Sequence, residues 1–252
     1  MMVWGRGVGA GSLSSHRVMV RGSSTHVNGN EEFGYRLVWA VDVEKYSSRD
    51  ARAQLAVQRQ LSGALATAAA GAGLDRESWH TEPRGDGELA VLPLEVDVAG
   101  AVGGFTRELA AALAVLNEGK SGRQRLRLRF AMHYGTLTLG PLGYAGQAPT
   151  MVGRLLDSRP LRQSLSGHLD RDLALAVSGG LYDDVIATGF CALDPRCFEA
   201  LRLTVQGAVH RGYVYEPAPM EQWRPMTAEP LRAAGEGADR SATVLSLGRC
   251  AQ

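Results

Sequence analysis

Two stretches decide the fold: RLVWAVDVEKYS at Arg36–Ser47 and WHTEPRGDGELAVLP at Trp79–Pro93. In the first, a near-continuous apolar run from Leu37 to Val41 reads as a buried strand ending at Asp42. In the second, Gly85-Asp86-Gly87 is a tight turn between two short strand-like runs, Ser78 to Glu82 and Glu88 to Leu92, so a hairpin is expected with Asp86 at its tip. Carboxylates at two neighbouring strand ends supply hard oxygen ligands and leave coordination positions open for phosphates, the arrangement that suits magnesium.

Between these stretches lies a helical pattern. Ser47 or Ser48 reads as its cap, with Asp50 in the first turn. Val57, Leu61, Ala64, Leu65 and Ala68 share one face, and Gly71 and Gly73 end the helix. A second helix is expected over Val98–Asn117, with Phe105, Leu109, Ala112, Leu113 and Leu116 inward. Arg125 to His133 alternates Arg125, Arg127 and Arg129 with Leu126, Leu128, Phe130 and Met132, the period of a half-buried strand whose arginine row reads as a solvated face. Thr136–Leu139 reads as a further strand beyond Gly135. Helices are expected over Pro149–Asp157 and Leu161–His168, a strand over Asp172–Val177, a short helix over Leu181–Ile186, and a closing hairpin of Leu201–Gln206 and Arg211–Tyr215.

This order, with a hairpin between helices that return over one sheet face, is an α+β, ferredoxin-like plan: one mixed, mostly antiparallel sheet with helices packed against it. One domain is expected over residues 32–217. Residues 1–31 lie within a glycine- and serine-rich start and read as a disordered segment; residues 218–252 read as a tail, rich in proline near its beginning.

Composition narrows the function classes. Among 252 residues the formal charge is +1, so no bulk electrostatic case exists for nucleic acid or an anionic membrane. No uninterrupted apolar run reaches the ~18 residues of a spanning helix. Three cysteines, Cys191, Cys197 and Cys250, fall at no zinc spacing, which suits a reduced, cytoplasmic setting.

An ordered series of short matches over roughly Arg36–Tyr215 resembles the class III nucleotidyl cyclases, the adenylate and guanylate cyclase catalytic domains. VDVEKYS resembles the family's first metal motif and RGDGELAVLP its second. RFAMHYG (Arg129–Gly135) is similar to its Arg-x-Gly-Ile-His-x-Gly strand, with Ala131 at the middle glycine. GTLTLGPLG and GQAPTMVGRLLDS resemble the glycine-spaced strand and the Asn…Arg-Leu helix that follow, and VQGAVHRGYVYEP the closing strand pair.

The resemblance implies a chemistry. Two aspartates hold two divalent cations (Mg2+ or Mn2+), the ribose 3′ hydroxyl of a nucleoside triphosphate attacks the α-phosphorus, and pyrophosphate leaves. It also implies a homodimer with a shared site, one protomer supplying the metal carboxylates and the other an Asn and an Arg.

Carried over residue by residue, Asp42 and Asp86 match the metal ligands and Arg154 the transition-state arginine. The Asn position is Thr150. The base-reading lysine position is Glu82, Pro141–Gln147 lacks the base-reading Asp or Thr, and the phosphate-binding lysine position is Ala208. Arg84 is a candidate replacement cation, His80 a candidate neighbour of the base, His133 a structural strand histidine, and Tyr46 an aromatic at the site's floor. A missing donor to developing charge lowers rate by roughly 10²–10³. Two readings therefore stand: a divergent, metal-dependent cyclase with altered base preference, or a cyclase-like nucleotide- or protein-binding signalling module without turnover. The diguanylate cyclases share the plan, but their Gly-Gly-Asp/Glu-Glu-Phe turn is Arg-Gly-Asp-Gly-Glu here.

Overall fold

The computed structural model describes residues Phe33–Pro217; the expectations for the two terminal segments lie outside them. An eight-stranded sheet forms the spine. Its strands are β1 (Gly34–Val43), β2 (His80–Arg84), β3 (Gly87–Val91), β4 (Leu128–Gly140), β5 (Gly143–Ala145), β6 (Leu173–Ser178), β7 (Phe198–Val205) and β8 (Ala208–Tyr215). They run in the order β2-β3-β1-β4-β6-β8-β7, with β5 paired to β4. Only β4 and β6 pair in parallel; the other pairings are antiparallel. The α+β plan read from the sequence holds.

Helices cover both faces, not the one face expected. Strand residues alternate sides, so β1 feeds two cores. Leu37, Trp39, Val41 and Val43 pack with α1 (Ala51–Gly71) and α2 (Val98–Asn117). Val38 and Ala40 pack with α3 (Gln147–Leu156) and α4 (Arg159–Ser166). The first core centres on Trp39, fully buried, stacked on Phe105 at 4.4 Å between centroids and met edge-on by Trp79 and Phe130. Helix α2 is long and apolar enough to cross a membrane, yet here Phe105, Leu109 and Leu113 are fully buried against the sheet. A π-helical turn over Ala101–Phe105 interrupts it, and Gly103 lies so close to the Cys191–Ala192 backbone that an added Cβ would sit 2.7 Å from the Ala192 nitrogen.

Several boundaries differ for physical reasons. The α1 cap is Asp50, whose carboxylate accepts the Ala53 N–H; Ser47 and Ser48 belong to a preceding 3-10 turn. Gly135 does not end a strand: β4 runs through it for 13 residues, because a glycine there leaves room for the His133 ring, whose Nε2 would lie 2.2 Å from any Cβ at that position. Beyond Gly140 the chain turns back and β5 pairs antiparallel with the end of β4, within the loop that sequence reading left without structure. The 181–186 helix is a single turn, Gly179–Leu181, continued by a π-helical turn. The arginine row is not a solvated face. It lies on the side that α3 and α4 cover: Arg127 is buried and Arg129 half-buried.

Candidate active site

The β1–β3 pairing brings the two carboxylates together. Asp42 sits opposite Gly87, and the Asp86 carbonyl accepts the Val43 N–H at 2.9 Å. This close approach requires glycine at 87, where a Cβ would lie 1.8 Å from the Val41 carbonyl oxygen. Helix α1 fixes the turn from the other side: the Gln58 side-chain amide donates to the Tyr46 hydroxyl (2.8 Å) and to the Gly85 carbonyl (2.7 Å). Tyr46 is half-buried and packs against the first core. Nothing in the local pattern flags Gln58, a polar residue on the exposed side of its helix.

Asp42 has a partner that sequence reading did not assign. Across the β1–β4 pairing, Arg129 grips it with both arms of the guanidinium, Nε to Oδ1 and Nη2 to Oδ2, each at 2.7 Å. Asp42 is only 8% exposed. Burial pushes its carboxyl from 3.8 up to about 6; the Arg129 charge and hydrogen bonds pull back, and the nearby Asp86 and Asp157 push further up. The ion pair alone suggests a lowered value, but desolvation of an almost wholly buried carboxylate outweighs one arginine. Asp157 caps the C-terminal end of α3 and is bound to Arg162.

The other candidates distribute as follows. Glu82 faces the β4–β5 hairpin, where its Oε1 accepts the Tyr144 N–H at 3.1 Å; a side chain at residue 143 would run into this carboxylate. His80 meets the Tyr144 ring edge-on at 4.9 Å. Arg84 is exposed at the end of β2. Thr150 and Arg154 lie four residues apart on α3, away from the face formed by Ala148, Met151, Val152 and Leu155. The Thr150 hydroxyl donates back to the Gly146 carbonyl of its own helix, and Arg154 is exposed. No hydrogen bond or ion pair among the described residues joins either to Asp42 or Asp86. Ala208 is exposed at the start of β8. On β4, His133 Nδ1 lies 2.7 Å from Ser178 Oγ, and burial, with His210 adding, holds the imidazole down at about 4, hence neutral at physiological pH.

The donor chemistry fits a divalent cation in an open, two-carboxylate site. The oxygens are hard, and Asp42, Asp86 and Asp157 crowd negative charge that a cation would relieve. The described residues hold no cluster of three or more His, Cys, Asp or Glu. Arg129 is the competitor: a cation reaching Asp42 must take at least one oxygen from it.

No protein-family model and no curated protein sequence matches the chain. Solved structures do. An adenylate/guanylate cyclase/hydrolase from Silicibacter pomeroyi aligns with TM-score 0.53 at 20% identity, covering 74% of this chain and 98% of that one. The guanylyl cyclase Cya2 aligns with TM-score 0.52 at 14% identity over 76% and 98% of the two chains. The adenylyl cyclase CyaB from P. aeruginosa aligns with TM-score 0.50 at 14% identity over 75% and 98%. At these identities the likeness establishes the fold, which is that of adenylyl and guanylyl cyclase domains.

Proposed function

We propose that this chain is a divergent nucleotidyl cyclase-like domain whose Asp42–Asp86 site binds a nucleoside triphosphate through a divalent cation. The observation that carries the proposal is the convergence of the two carboxylates at one sheet end, held by the Gly87 approach and the Gln58 bridge. When bound, the cation would neutralise phosphate charge and favour ionisation of the attacking hydroxyl. This chain's residues supply the rest. Asp42 and Asp86 hold the cation, Tyr46 floors the site, and the free oxygen of Glu82 presents an acceptor to a base. Thr150 and Arg154, facing outward on α3, are placed to serve a second copy of the chain, so the complete site belongs to a homodimer. The product of that assembly is a 3′,5′-cyclic nucleotide and pyrophosphate.

One observation favours a second reading, a nucleotide-binding module without turnover. Arg129 occupies both Asp42 oxygens, and Thr150 spends its hydroxyl on its own helix. The deciding experiment incubates the purified chain with ATP, GTP, CTP and UTP, each with Mg2+ or Mn2+, and looks for cyclic products by mass spectrometry, with Asp42→Ala alongside. A cyclic product lost in the variant establishes the enzyme. Nucleotide-dependent thermal stabilisation without product establishes the binding module. Neither signal from a folded dimer refutes both readings.

A further inference from the structure

A second constellation lies just beyond the candidate active site. Where β1 ends and β4 begins, a cavity of about 290 Å³ is lined by Glu44, Lys45, Arg49, Arg123, Arg125 and Arg127, among others. Five of these six are basic. We propose that this cavity binds a small phosphate-class oxyanion, at a site separate from the Asp42–Asp86 carboxylates.

The charge balance points to an anion. Arg127, 7% exposed, pairs with Glu44 at 2.8 Å and gives its remaining donors to the carbonyls of Leu165, His168 and Arg171. Arg125 pairs with Asp172 at 2.7 Å. Arg49 has no such partner. Its guanidinium donates to two neutral carbonyls, of Arg123 at 2.8 Å and Arg125 at 3.4 Å. Arg123 is exposed on the turn beside it. Among the described residues neither Arg49 nor Arg123 has a carboxylate within ion-pair distance.

The Lys45 ammonium pairs with Glu44 at 3.9 Å, which leaves the guanidinium groups of Arg49 and Arg123 without a carboxylate; arginine forks suit an oxyanion with several acceptor oxygens, because each can engage two of them. The hollow is far larger than the ~30 Å³ share of one water in the liquid, so it admits an anion of several heavy atoms. The backbone also bends to form it: Lys45, at its rim, holds the left-handed conformation with φ of 55°.

The test uses the full chain and inorganic phosphate in the presence of EDTA, so that no divalent cation engages the carboxylates. Binding is followed by calorimetry and by ³¹P line broadening. Saturable binding that weakens with added salt is expected. Arg49→Gln should weaken it roughly tenfold or more, the value of one charge-assisted contact, and the exposed Arg123→Gln roughly threefold. Should Arg49→Gln fail to fold, Arg123→Gln decides. Asp42→Asn should leave the affinity unchanged, and a nucleoside triphosphate with Mg2+ should bind alongside phosphate without displacing it. The proposal is overturned by absence of binding, by unchanged affinity in the arginine variants, by its loss in Asp42→Asn, or by displacement by the triphosphate. The last two outcomes would make the cavity part of the carboxylate site. Failure of the cyclase reading removes only the triphosphate arm; the phosphate isotherms in EDTA and the arginine variants stand without it.

Discussion

The two perturbed groups on the α3/α4 side of the sheet should give stability profiles of opposite slope against pH. Asp42 ionises near 3.8 in an unfolded chain and near 6 in the folded one. Between those values the folded state binds its proton more tightly, so stability falls as pH rises through the window and the loss is complete above about 6. At roughly 1.4 kcal/mol per tenfold change, the loss amounts to about 3 kcal/mol. His133 does the reverse. Its ordinary value of 6.5 falls to about 4 on folding, so the unfolded chain takes the proton first and stability declines as pH drops from 6.5 towards 4. The magnitude is about 2–3 kcal/mol after allowing for partial exposure. In the wild-type chain without divalent cation the two slopes overlap between pH 4 and 6 and largely cancel. Asp42→Asn should expose the His133 slope and His133→Gln the Asp42 slope. The assay is urea unfolding at half-unit pH steps in EDTA, with each variant's free energy subtracted from that of wild type so that shared titrations drop out. The wild type minus Asp42→Asn difference should fall by about 2–2.5 kcal/mol from pH 4 to 7, most of the full loss. A difference that stays flat would refute the reasoning, because it would mean that Arg129 keeps Asp42 ionised despite its burial. Magnesium at pH 7.5 should then stabilise the wild type and leave Asp42→Asn unmoved.

Three further substitutions test the frame around the site. Lys45→Gly should stabilise the chain by about 1 kcal/mol, since a non-glycine residue in the left-handed region costs roughly 1–2 kcal/mol and glycine returns part of that as unfolded-state entropy; thermal melting checks it. Gly87→Ala should destabilise by on the order of 4 kcal/mol or more, because its Cβ would overlap the Val41 carbonyl; hydrogen exchange should show the hairpin freed from β1. Phe105→Ala should cost about 3–5 kcal/mol, because the ring is fully buried on the Trp39 indole; denaturant midpoints measure it.

Much of the frame is legible in the sequence because each signal is local. The apolar run into Asp42 and the Gly-Asp-Gly turn state their own geometry, and the pairing of β1 with β3 follows once both are strands. The α1 face of Val57, Leu61, Ala64, Leu65 and Ala68 is buried as its spacing requires. What failed is what periodicity does not encode. Alternation along Arg125–His133 says which residues share a side of the sheet, but not what will cover that side. The covering comes from α3 and α4, far along the chain, and it turns a solvated arginine row into Arg129 gripping Asp42 and Arg127 gripping Glu44. The same limit applies to the cap at Asp50 and to Gly135, where a side-chain bond and a histidine ring decide the outcome, not a pattern.

The candidate site divides along that line. The proximity of Asp42 and Asp86 was readable because strand pairing brings them together. Their electrostatics were not, because burial, Arg129 and Asp157 reach Asp42 from three other elements. Glu82 shows the consequence most directly. At the position where the resemblance implies a cation, its charge reads from sequence as a defect. In the fold its Oε1 takes the Tyr144 N–H, and residue 143, where an added Cβ would lie 2.5 Å from that oxygen, is a glycine with φ of 107°. A carboxylate held in this way is an organised acceptor. Substituting the lysine of the family pattern at this position would leave the Tyr144 N–H without its acceptor and place an ammonium against the hairpin backbone. Glu82→Lys should therefore loosen the β4–β5 hairpin before it recovers any family-like base preference.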